Sequence, residues 1–300
     1  MMKSKQTFRT FIMIFLGIIS YSCETVVDVD IPFDKPQVTM NTVLKANGFP
    51  KVRLTFSKHA LDNNYIYEPI KNAQVYLESE GVSYELEFEE ENGIYKTLDF
   101  MIQAGKHYTV SANVPDYQVV TATETIPEIV PIKNFSYNGE TQKDSWNVEQ
   151  DITILFDDPV GENYYEISGY SITKTTYLDQ NGNEQEHIDF RNLYLNPKNP
   201  TYQNDYGSSN TVLINDQLFE GQEAKIDMFS WGTHFSPEVD SEIYIILKSV
   251  TESYYKFHTT FGLQRWNDGD PFAQPVQVFT NIQNGMGIIT GESSFTYQVK

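Results

Sequence analysis

Apolar and polar residues alternate in short runs along most of this chain, with turn-forming residues between the runs. Val52, Leu54 and Phe56 share one side of an extended segment, with Arg53, Thr55 and Ser57 on the other. Ala73, Val75 and Leu77 repeat the pattern. Residues 84–89 show it most plainly, because Tyr84, Leu86 and Phe88 oppose three glutamates. A period of two with one charged side predicts antiparallel strands buried on one face only. Residues 38–44, 94–95, 107–112 and 118–126 extend the set. About seven short strands in roughly ninety residues is the density of a β-sandwich.

Residues 128–149 interrupt the pattern with Pro131 and a polar stretch from Asn138 to Asp144, and are read as a boundary. Strands resume at 151–156, 164–169 and 170–178. Asn181-Gly182 then predicts a type I′ hairpin turn. Residues 196–210 form a polar loop, and 225–229 and 242–248 are further strands. The nearly continuous Ile243 to Leu247 reads as a central strand. Tyr254, Phe257, His258 and Phe261 fall at i, i+3, i+4 and i+7, which predicts an amphipathic helix over 251–265 capped by Thr251 or Ser249. Residues 276–280 and 286–290 read as closing strands.

The first 22 residues follow a different rule. Lys3, Lys5 and Arg9 make a basic start, 11–19 are apolar, and Ser20 and Ser22 stand just before Cys23. The apolar run is too short to span a bilayer, and its flanks are those of a secretory signal. Cys23, the single cysteine, has no disulfide partner. Its position directly after the small residues predicts a bacterial lipoprotein signal, with Tyr21 bulkier than is usual at its place. The thiol would take a diacylglyceryl group and the freed amine a further acyl chain. Two or more chains anchor stably where one does not. The expected divisions are a signal peptide (1–22), a lipidated tether (23–36) bearing Asp28, Asp30, Pro32 and Pro36, a front β-sandwich (37–127) and a β-rich C-terminal domain (128–300).

The formal charge is −20, and loss of the basic leader takes it to −23. Such a chain lacks the Lys/Arg clusters that bind phosphate backbones, so nucleic acid is not an expected partner. His59, His107, His187, His234 and His258 show no metal-ligand spacing, so no metal site is expected. No nucleophile elbow or phosphate loop occurs. Asp179 to Glu184 has the wrong spacing for a calcium loop, and Asp268-Gly269-Asp270 reads as a turn. The remaining candidates are aromatic. Trp146, Trp231 and Trp266, with Tyr202 and Tyr206, either bind sugar or protein at the surface or fill a β-core.

Two motif sets carry a family resemblance. Asn72 to Leu77, then Asn92-Gly93-Ile94-Tyr95, then Gly105-Lys106-His107-Tyr108 resemble the Ig-like, transthyretin-like or carboxypeptidase-regulatory β-sandwich. Trp266-Asn267-Asp268-Gly269-Asp270-Pro271-Phe272, followed by Asn281-Ile282-Gln283-Asn284-Gly285-Met286-Gly287, resembles the end of a Bacteroidota lipoprotein family catalogued as domain of unknown function 4249, with Met286 where leucine is more usual. The resemblance implies a mostly β fold, a front sandwich followed by a β-rich domain with one helix. It also implies an outer-membrane place beside TonB-dependent β-barrel receptors. The expected role is a non-enzymatic accessory or binding subunit, lipid-anchored and facing the cell surface, with no cofactor beyond the lipid on Cys23. A glycan- or peptide-binding lipoprotein is the first alternative, and a hydrolase using carboxylates of the C-terminal domain is the second.

Overall fold

Strong alternation in the front half produces seven strands: β1 (Val38–Lys45), β2 (Lys51–Phe56), β3 (Gln74–Ser79), β4 (Val82–Glu89), β5 (Ile94–Lys96), β6 (His107–Asn113) and β7 (Val120–Thr125). The structure is a computed structural model that describes residues 35–59, 62–143, 148–204, 210–232, 235, 241–267 and 272–299. Hydrogen bonding runs β1-β2-β5-β4-β3-β6-β7. The path curls round one core, in which Met40, Leu44, Leu54, Val75, Leu77 and Val110 are fully buried. This is the β-sandwich expected from the alternation, of the Ig-like kind that the motif resemblance implies. Its motif tyrosines act as internal locks. The Tyr95 hydroxyl donates to the Ile70 carbonyl at 2.8 Å and accepts from the Ala73 amide at 3.0 Å. Tyr108 accepts from the Gln103 amide at 2.8 Å. A buried hydroxyl without such partners would be costly.

Further strands follow: β8 (Ile132–Gln142), β9 (Val148–Asp157), β10 (Tyr164–Leu178), β11 (Glu184–Asn192), β12 (Leu195–Pro197), β13 (Gln203–Asn204), β14 (Val212–Asn215), β15 (Glu223–Trp231), β16 (Glu242–Val250) and β17 (Met286–Gln298). A four-stranded sheet, β12-β15-β9-β8, forms one layer. Its Ile152, Ile154, Phe156, Ile226 and Met228 share a second core with Tyr165, Ile167, Ile245 and Leu247 of β10 and β16. As expected, β16 is central, between β10 and β17.

β17 belongs to both sandwiches. Its first half pairs in parallel with β1, from Thr39↔Met286 to Lys45↔Glu292. Its second half pairs antiparallel with β16, from Val250↔Glu292 to Tyr244↔Gln298. Gly287 permits the parallel contact, because its φ is +103° and a Cβ there would collide with the Met40 carbonyl oxygen. The described residues beyond Lys35 accordingly lie in one compact unit, Pro36–Lys300.

The helix, α1 (Glu252–Asn267), starts where the sequence places it. Thr251 is the cap: its Oγ1 accepts from the Tyr254 amide at 3.3 Å and its carbonyl from the Tyr255 amide at 3.1 Å. The same Oγ1 accepts from Gly291 at 3.1 Å, which docks the helix start on β17. The inward stripe is shorter than the periodicity implies. Tyr254 is buried, Phe257 and His258 are half-buried, and Phe261 is 39% exposed. Residues 276–280 do not form the expected strand. The Phe279 amide donates to Thr260 Oγ1 at 2.9 Å and Lys256 sits over the Phe279 ring. The segment therefore runs along the helix instead of a sheet edge, and Pro275 before it has no amide to give a ladder.

Candidate docking surface

β10 is 15 residues long, and its neighbours stop early. β16 accompanies it only from Tyr164 to Ile172, and β14 only from Tyr164 to Ile167. Beyond Ile172, β11 is its only strand partner among the described residues, so the β10–β11 hairpin overhangs the sheet. Residues 174–178 and 184–188 are exposed on both faces. Paired residues in an antiparallel ladder share a face, so Tyr170, Ile172, Ile188, Phe190 and Leu178 line one side. Tyr170 stacks on Tyr244 at 4.9 Å and on Phe190 at 4.8 Å. Phe190 and Ile188 follow outward on this face, and Leu178 lies beyond the polar pair Thr176↔Glu186, each of the three 58% exposed or more. Lys174, tied to Glu242 at 3.0 Å, Glu184 and Glu186 stand beside it.

The tip differs from the expected type I′ turn, which needs positive φ at both central residues. Only Gly182 is in that region, at +81°. The Gly182 amide donates to the Asp179 carbonyl at 3.0 Å and the Asp179 amide to the Asn183 carbonyl at 2.9 Å. This is a three-residue loop closed by a left-handed glycine. Asp179 prefers it, because its Oδ1 accepts from the amides of Asn181 and Asn183 at 2.8 and 2.9 Å. The Asn183 amide above all holds this carboxyl below its ordinary range.

The aromatic candidates fall on separate elements. Trp231 ends β15, is 38% exposed and meets Phe229 edge-to-face at 5.4 Å. Trp266 lies near the end of α1 and is 74% exposed. Tyr202 is half-buried against the second core, and burial pushes its hydroxyl pKa up. Cys23, Trp146, Tyr206, His234 and the Asp268–Asp270 turn lie outside the described residues. The alternation of Ile188 and Phe190 with charges in β11 does not by itself mark a surface. Their exposure follows from where β16 and β14 end, which no local pattern records.

Buried carboxylates are present under α1. Glu166 of β10 and Glu292 of β17 both reach Lys248 of β16, at 2.7 and 3.5 Å. Tyr254 donates to Glu166 at 2.6 Å, and Lys45 meets Glu292 at 2.8 Å. Burial pulls Lys248 down, but the two carboxylates outweigh it and hold the ammonium above its ordinary pKa. Alternating charges that satisfy one another this way serve to pin three neighbouring strands under the helix. Close by, Glu124 of β7 accepts from Ser253 and, at 2.9 Å, from Asn281. Burial pushes its carboxyl up to about 7, against the pull of those two hydrogen bonds.

No curated protein matches this sequence significantly. Among solved structures, a two-domain fibronectin type III segment of chicken tenascin matches at a TM-score of 0.20 and 12% identity. That match covers 72% of this chain and 91% of that one. A Salmonella alpha-2-macroglobulin mutant matches at a TM-score of 0.22 and 11% identity, covering 75% of this chain but 14% of that one. Superpositions of this quality carry no functional argument. The sequence itself places the chain: the model of the family described as Domain of unknown function (DUF4249) matches residues 24–298, and the chain belongs to that family.

Proposed function

We propose that this chain is a bacterial outer-membrane lipoprotein, acylated at Cys23 and facing the cell surface. In this reading it works without catalysis, as an accessory subunit docked on a β-barrel receptor. The observation that supports it best is the β10–β11 overhang. An exposed apolar stripe, continuous with stacked tyrosines and carried on a hairpin free of the sheet, is the form of a protein-binding surface. Fully burying an Ile, Leu or Phe side chain gains about 1.5–3 kcal/mol, so a partner covering Leu178, Ile188 and Phe190 gains several kcal/mol. The lipid would hold the chain at the membrane and the acidic surface would keep it soluble there.

The test is co-purification from gently solubilised outer membranes, with a C-terminal tag on the full chain. The expected result is a stoichiometric β-barrel protein with the parent chain. It should be absent with Cys23→Ala and depleted at least tenfold with the pair Ile188→Glu and Phe190→Ser. A barrel retained by the hairpin variant would refute the docking surface. A lipidated parent chain that brings down no barrel would refute the accessory role.

A further inference from the structure

The other side of the β1–β2 pair, opposite the front core, holds a groove of about 560 Å³ beside the start of β17. Thr39, Asn41, Arg53, Thr55, Lys58 and Tyr67 line it, and among the described residues no carboxylate does. That lining is unusual for a chain whose acids outnumber its bases 41 to 21. Many lysines elsewhere are matched to acids, as at Lys71–Glu90, Lys96–Glu89 and Lys106–Glu80. Arg53 is not. Its Nη2 donates to the Tyr67 carbonyl at 3.2 Å, and among the described residues no carboxylate pairs with its guanidinium. Lys58 donates to the Asn64 carbonyl at 2.6 Å and lies 5.1 Å over the Tyr67 ring. Asp62, 3.9 Å from Lys58, is outside the lining.

The remaining lining groups suit a hydroxylated ligand. Asn41 Oδ1 already accepts from the Ile288 amide at 3.2 Å, which aims the side-chain NH₂ as a donor. Thr39 and Thr55 offer hydroxyls that donate or accept. Tyr67 is about half exposed, and its ring, with Lys58 over it, offers apolar surface for C–H groups. Arg53 supplies the planar fork that matches a carboxylate with two parallel hydrogen bonds. The volume is that of a small-ligand site.

We infer that this groove binds a sugar acid, its carboxylate on Arg53 and its hydroxyls on Asn41, Thr39 and Thr55. The inference does not depend on the hairpin docking surface, which is built from other strands. It can be tested by saturation-transfer NMR on the full-length chain in detergent, with glucuronate, glucose and N-acetyl-aspartate amide as probes. Glucuronate should bind, with glucose at least tenfold weaker. Arg53→Gln should weaken glucuronate at least tenfold with an unchanged circular dichroism spectrum, since the side chain is on an exposed face. Arg53→Lys, which keeps the charge without the fork, should fall between. Equal binding of glucose and glucuronate, or an Arg53→Gln chain that binds glucuronate as the parent does, would overturn the assignment. So would binding of none of the three probes. Tighter binding of the aspartate derivative would replace the sugar acid with an acidic peptide and equally overturn it.

Discussion

Glu124 sits where β7, the first turn of α1 and Asn281 meet, and its carboxyl is the pH-sensitive group of that junction. Burial raises its pKa from about 4.5 to about 7, while Ser253 and Asn281 favour the ion and Glu252 opposes it. Between those values the folded chain holds a proton that the unfolded chain has released. Stability therefore falls as pH rises through this window and stays reduced above it. Glu124→Gln should flatten that slope and stabilise the chain at pH 8 by about 1–2 kcal/mol, after allowance for the open side of the group. Thermal or urea melts of the two chains at pH 5 and pH 8 read this directly, and an unchanged difference between the two pH values would refute it. Nothing local marked Glu124. It lies in an alternating strand like many other glutamates here, and only the partners brought by the helix and Asn281 distinguish it.

At the scale of elements, the hairpin and the helix show where periodicity informs and where it stops. The place of the Asp179 to Asn183 turn was legible, though not its type, because turn chemistry is a property of adjacent residues. The overhang was not, because it depends on strands ending elsewhere in the sheet. A β-ribbon supported on neither face should open more easily than the paired part of the same strand. Amides at 174–178 and 184–188 should exchange at least tenfold faster than those at 164–172 in native-state hydrogen exchange. Equal protection would mean that the ribbon is covered in solution. In α1, the cap and the first inward residue were legible, since Thr251 and Tyr254 lie within one turn. The outer half departs from the period because no strand covers it: from 276–280 only Phe279 is seen against the helix, at Thr260 and Lys256. Exposure of Phe261 is a property of that packing and not of the helical period.

For the whole molecule, the shared strand matters most. β17 closes the front sandwich through β1 and the back sandwich through β16. It also contributes Ile289 to one core and packs Phe295 and Tyr297 against the other. Loss of either core strips a face or an edge from this one strand, so the two halves should unfold together. Far-ultraviolet and near-ultraviolet melts should coincide in one transition. Deletion of 286–298 should abolish the folded signal of both halves. Two separated transitions, or a front half that keeps its fold without β17, would refute the coupling.

The sequence by itself determined most of the strands and the helix start. Each is written in neighbouring residues: alternation for a half-buried strand, and a cap followed by a 3.6-residue period. It also carried the family, through motifs that hold buried tyrosines and the Gly287 contact. Only the tertiary structure decided that the last strand joins the first in parallel, that a hairpin stands free of its sheet, and that Arg53 faces a groove without a carboxylate. Strand edges present the same backbone donors and acceptors whatever their sequence. Core packing over long separations therefore chooses the partners, and no local pattern encodes that choice.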